Sequence, residues 1–71
     1  MIREGYIEKI VYKSDETGYC VMSVEGEEGE EIFVGTLPGA GEGLYVIAEG
    51  EYVNHPQYDI QFKFSSCEIQ M

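Results

Sequence analysis

Tryptophan is absent, histidine occurs once, cysteine and proline twice each, and lysine plus arginine only four times. Each scarcity closes a class of function. His55, Cys20 and Cys67 supply fewer Cys and His ligands than a tetrahedral structural zinc site takes. No CxxC or HxxxH spacing points to a carboxylate completing such a set. A lone histidine with no nucleophile or metal motif beside it gives no catalytic constellation. In His55-Pro56 the proline fixes φ and the imidazole can bond a neighbouring carbonyl, so the pair reads as a turn. Four bases against fourteen acids leave a formal charge of −10, which excludes the basic coat of an ordinary nucleic-acid binder. No apolar run approaches the ~18 residues of a membrane span. The opening Met1-Ile2-Arg3-Glu4-Gly5 has no apolar leader, so the expected compartment is the cytoplasm. There Cys20 and Cys67, both in apolar alternating segments, are expected as reduced packing thiols. No G-x-x-x-x-G-K-[S/T] occurs, so nothing cradles a nucleotide phosphate. No long segment has the 3.6-residue period of a helix.

What remains is a compact β pattern. The chain has 71 residues, 44% of them hydrophobic and 25% charged, a composition that argues for one small folded domain. A domain of this size buries only about 60% of its unfolded surface, so its core is thin. Five strands can be read. The first runs from Ile2 to Lys13 and ends at the turn cluster Ser14-Asp15-Glu16-Thr17-Gly18. The second, Tyr19 to Glu25, leads through Gly26-Glu27-Glu28-Gly29, a hairpin tip, into the third, Glu30 to Thr36. Leu37 to Gly43 breaks the pattern with one proline and three glycines. The fourth strand is Leu44 to Val53, Asn54-His55-Pro56-Gln57 turns the chain, and the fifth is Tyr58 to Ile69.

Alternation assigns the faces. Tyr58, Ile60, Phe62 and Phe64 share one face of the fifth strand, with Asp59, Gln61 and Lys63 on the other. Leu44, Val46, Ala48, Gly50 and Tyr52 share one face of the fourth, and Cys20, Met22 and Val24 one face of the second. The first strand changes parity. Gly5 and Ile7 fit one face, and Ile10 and Tyr12 join it only if a β-bulge near Glu8-Lys9 inserts a residue. Gly5, Gly35 and Gly50 mark further bend points. A long bent first strand, a meander, a break and a final hairpin give the element order of an OB-like Greek-key barrel. The segment between strands three and four is too short for a substantial helix. An SH3-like barrel is the alternative.

Several blocks carry a family resemblance. Gly5-Tyr6-Ile7-Glu8-Lys9-Ile10-Val11-Tyr12 and Glu16-Thr17-Gly18-Tyr19-Cys20-Val21 resemble the opening of the N-terminal domain of RecD-like (RecD/TraA family) DNA helicases, the exodeoxyribonuclease V alpha subunit among them. Val34-Gly35-Thr36-Leu37-Pro38 resembles the next block, and Gly50-Glu51-Tyr52-Val53-Asn54-His55-Pro56-Gln57-Tyr58 with Gln61-Phe62 the last. Tyr52 stands where tryptophan is common, Asp59 where glycine is, and Cys20 where threonine is frequent. The resemblance implies that residues 1–71 are a single OB-like domain, an N-terminal fragment of a longer ATP-dependent helicase moving 5′ to 3′ on single-stranded DNA. ATP and Mg²⁺ are then expected only in the helicase core. This chain itself is expected to take no cofactor and to catalyse nothing.

The candidate contacts follow from where OB-folds bind, on strands two and three and the loops after strands one and four. Tyr12, Tyr19, Tyr52 and Tyr58 flank those loops, with Lys13 and His55 beside them. Base stacking on such rings contributes roughly 1–3 kcal/mol per base. Phe33, Phe62 and Phe64 are expected in the core. The crowded acids Glu25, Glu27, Glu28, Glu30 and Glu31 read as a solvated turn, with a cation site or a docking patch for a basic protein as the sharper readings. The expected partners are the helicase core of the parent chain, single-stranded DNA held weakly, and a basic protein, with no membrane. The alternative function is a stand-alone acidic protein-interaction barrel.

Overall fold

The computed structural model describes residues 1–56 and 59–70, with backbone alone at His55 and Asp59. The strands are β1 (Ile2–Lys13), β2 (Tyr19–Gly26), β3 (Gly29–Thr36), β4 (Tyr45–His55) and β5 (Asp59–Gln70). β4 extends two residues beyond Val53, taking in Asn54 and His55 of the expected turn. Gln57 and Tyr58 lie outside the described residues.

The sheet closes in the order β1-β2-β3-β5-β4, with β1 returning to β4. All pairs are antiparallel except β3 with β5, where Phe33 faces Phe62 and Val34 faces Lys63. That closure gives an OB barrel rather than an SH3-like one. The first half of β1 pairs with β4 and the second half with β2, so one bent strand serves both sheets.

Two irregularities bend β1. Register shifts fall between Ile7 and Lys9 and between Ile10 and Tyr12. The first is the bulge expected near Glu8-Lys9, and it keeps Ile10 packed against the core beside Ile7. The second, at Val11, reverses parity again. Tyr12 therefore leaves the core face and is 55% exposed, contrary to the sequence expectation. A third shift falls between Glu49 and Gly50, where Ser65 of β5 has no opposite number and its hydroxyl donates to the Glu49 carbonyl at 3.2 Å.

The interior holds Ile7, Cys20, Met22, Val24, Phe33, Val46, Ala48, Phe62 and Phe64. Phe33 and Phe62 meet at 5.0 Å between centroids, and each contributes about 1.5–3 kcal/mol by burial. The 37–44 loop closes one mouth of the barrel with buried Leu37 and Ala40. It makes two tight turns, Ala40 N–H to Leu37 C=O and Leu44 N–H to Gly41 C=O, and is tied to β1 by Gly43 N–H to Ile7 C=O at 2.8 Å. Ile60 departs from expectation. It follows the parity of Phe62 but pairs with Asn54, beyond the last core layer, and is 61% exposed.

Candidate nucleic-acid interface

The bulges decide which β1 side chains face outward over β2. Lys9 pairs with Ser23 and Tyr12 with Val21, both on the outward rows. Ile10 and Lys13 pair with the core residues Met22 and Cys20. Lys9 and Lys13 thus have opposite parity because a register shift separates them. Past the core, at the barrel rim, Lys13 Nζ donates to the Ala40 carbonyl at 3.3 Å, so this lysine fastens the 37–44 loop.

Across β2 and β3 the outward rows continue, Val21 opposite Val34, Ser23 opposite Ile32 and Tyr19 opposite Thr36. Val34 lies between Val21 and Lys63. With neighbours on both sides it is only 4% exposed, although its parity is outward. Around it stand the exposed Tyr12 and Tyr19 and the exposed Lys9 and Lys63. The turn after β1 fixes Tyr19 from behind. Ser14 N–H donates to the Tyr19 carbonyl at 2.8 Å, and Leu37 N–H to the Gly18 carbonyl at 3.0 Å. Thr17 Oγ1 accepts from Tyr19 N–H at 3.2 Å. Two rings on rigid backbone, with ammonium groups nearby, can stack bases and meet phosphates. Asp15 and Glu16 in the same turn, and Glu30 bonded by the Ser23 hydroxyl, hold down the strength of that attraction.

Tyr52 occupies a different place. The registers put the β1–β2 turn at one end of the barrel and the β2–β3 turn at the other. Tyr52 closes the second mouth. Its ring meets Phe62 edge-on at 5.1 Å, lies 5.5 Å from the Arg3 guanidinium carbon, and its hydroxyl donates to Glu31 Oε1 at 2.5 Å. Burial, then the bond to Glu31, pushes its phenol pKa up. The structure therefore brings Tyr12 and Tyr19 to one face, turns Lys13 away to the rim, and sets Tyr52 apart from them. The side chain of His55, and Tyr58 entirely, lie outside the described residues.

The crowded acids are mostly engaged. Glu31 takes the Tyr52 hydroxyl, Glu30 takes that of Ser23, and Glu28 meets Arg3 at 3.5 Å. Among the described residues no group of three or more His, Cys, Asp or Glu is arranged to hold a metal ion. Cys20 and Cys67 are free thiols. Burial raises the pKa of both, Cys67 to about 11, so neither is a ready nucleophile.

Lys9 and Lys63 carry the faintest sequence signal of the residues on this face. The parity of Lys63 was legible, opposite Phe62 and Phe64. Its place beside Val34 depends on the parallel β3–β5 closure, which leaves no local mark in the sequence.

A five-stranded barrel closed by a parallel β3–β5 pair, with aromatic and basic side chains on its β2–β3 face, is the geometry against which the comparisons stand. Comparison with curated proteins and with solved structures finds no match. A family model does match, over residues 1–71, and the chain belongs to that family, the OB-fold domain of the ATP-dependent DNA helicase YrrC.

Proposed function

We propose that this domain is a non-catalytic accessory module of a RecD-like 5′-to-3′ DNA helicase, guiding single-stranded DNA weakly across its outer β2–β3 face. The observation that supports the reading is the cluster of Tyr12, Tyr19, Lys9 and Lys63 on one face of an otherwise acidic barrel. Tyr12 and Tyr19 stack bases, and the lysines hold the backbone. ATP and Mg²⁺ are handled by the helicase core of the parent. Net repulsion keeps the contact loose, which suits a strand that must slide.

Anisotropy of a labelled oligothymidylate at low salt tests this. The wild-type chain binds weakly, and a logarithmic salt slope of about −1.4 to −2.1 is expected for two or three phosphate contacts. Tyr19→Ala and Lys63→Ala each weaken binding several-fold. Equal affinity of both variants and wild type would remove this face from the account.

A further inference from the structure

The opposite sheet of the barrel, formed by the first half of β1, β4 and the end of β5, carries large apolar side chains that the core does not use. Ile2 is 60% exposed and Tyr6 59%, and Tyr45 and Ile47 are half-buried. Their registers interleave them with carboxylates. Ile2 lies opposite Glu49, Glu4 opposite Ile47, and Tyr6 opposite Tyr45. Across β4, Ile47 also faces Glu68, so one isoleucine sits between two glutamates. Tyr6 is flanked on its other side by Glu25.

The aromatic pair is preorganised. The Tyr6 and Tyr45 rings meet edge-to-face at 4.8 Å, and the Tyr45 hydroxyl donates to Glu4 Oε1 at 2.5 Å. That bond, foremost, pushes the Tyr45 phenol up to about 12. An open groove of about 650 Å³ runs from these rings to the β2–β3 turn, lined also by Glu27 and Glu28.

Single exposed apolar residues are ordinary on a protein surface, whereas a contiguous apolar patch marks an interaction site. Charge selects the occupant. Lys9 and Lys63 face outward on the other sheet, Lys13 fastens the far rim, and Arg3 has core parity and pairs with Glu28. Arg3 lines one end of the groove and meets Glu28 there, while Glu4, Glu49 and Glu68 have no ion pair among the described residues. A second copy of the chain would set like carboxylates against one another, and a nucleic acid would bring phosphates to them. The complementary surface is a protein segment with apolar residues between basic ones. Arginine fits best, since its guanidinium stacks on a tyrosine ring while its N–H groups reach a carboxylate.

We infer that this β1–β4 face is a docking surface for a basic, apolar-studded protein segment. It is separate from the β2–β3 face, and neither reading depends on the other.

An acetylated peptide of alternating arginine and leucine, titrated into isotope-labelled chain, is the probe. The expected amide shifts centre on Ile2–Tyr6 and Tyr45–Glu49. Ile47→Ser keeps the charge and removes the apolar centre, and it should weaken binding about tenfold, as for a buried anchor. Glu68→Gln should weaken it by less and reduce its salt dependence. The peptide with glutamate in place of arginine should not bind. Shifts centred on the Glu27-Glu28 turn, or equal affinity of Ile47→Ser and wild type, would reduce the effect to net charge and overturn the proposal. So would concentration-dependent shifts on this face without peptide, which would make the occupant a second copy.

Discussion

Replacing Gly35 by alanine tests how the barrel closes. Gly35 is buried in β3 opposite Cys20, with φ at 153°. A Cβ there would stand 2.7 Å from Phe64 Cε1 and 2.9 Å from Cδ1 and Cζ. The ring has little room to retreat. Phe64 is 5% exposed, and its backbone is pressed against Gly50, where a Cβ would come within 2.5 Å of the Phe64 Cα. Gly35→Ala therefore has two costs. Backbone in a region kept for glycine costs about 1–3 kcal/mol. Overpacking of the ring costs about 1–3 kcal/mol more. The total stability of a domain this size is roughly 4–11 kcal/mol. At about 4–8 °C per kcal/mol, the melting temperature falls by at least roughly 10 °C.

A second substitution separates the two terms. Phe64→Leu removes the ring that clashes but leaves the backbone strain. In the double variant leucine relieves most of the overpacking, so a double-mutant cycle should show about 1–2 kcal/mol of favourable coupling. Thermal and urea melts followed by far-UV circular dichroism measure all four corners. A Gly35→Ala melting point within about 3 °C of the parent would refute the steric argument. Strict additivity would instead locate the whole cost in the backbone.

Three further outcomes follow from the site geometry. Tyr52→Phe keeps the ring against Phe62 and Arg3 and loses the bond to Glu31. It should cost about 1 kcal/mol, read as a drop of roughly 4–8 °C in melting temperature, and no drop would mean that this bond contributes nothing. The Tyr45 phenol should ionise only near pH 12. Because the folded value is raised, its stabilising contribution is complete below the ordinary tyrosine range and is lost as pH climbs through it toward 12. A ring-carbon NMR titration checks this, and Glu4→Ala, which removes both the acceptor and the charge, should return the phenol toward the ordinary value, whereas an unchanged titration would exclude Glu4 as the main cause. The two thiols should react slowly with a disulfide reagent at neutral pH in the folded chain and at once in denaturant, since burial raises both. Fast reaction of folded Cys67 would contradict its placement.

The β elements were legible because thin barrels force strict alternation. Cys20, Met22 and Val24 against Val46 and Ala48 leave little choice of inward face. The first bulge was legible for the same reason, since Ile7 and Ile10 cannot both reach the core without an inserted residue. The second bulge was not. Tyr12 is large and amphipathic, so its hydrophobicity suits either face, and only the pairing of Tyr12 with Val21 fixes it outward. Ile60 shows the same limit, for parity gives a face but not the point where the barrel ends. Tyr52 read as a loop aromatic because its partners Arg3, Glu31 and Phe62 come from three other strands. The β1–β4 face leaves a faint mark because β1 (Ile2, Glu4, Tyr6) and β4 (Tyr45, Ile47, Glu49) each mix apolar and acidic residues on the row that alternation turns to solvent. No single segment shows the interleaving of Ile47 with Glu4 and Glu68.

The central claim is that an acidic barrel guides single-stranded DNA on one face. Its most direct test is an amide-shift titration of the labelled chain with a short oligothymidylate at low salt, repeated as salt rises. The account predicts shifts at Lys9, Tyr12, Tyr19, Val21 and Lys63 that fade with salt, and none at Ile2–Tyr6. No shifts even at millimolar oligonucleotide, or shifts confined to the Tyr52 mouth, would contradict it.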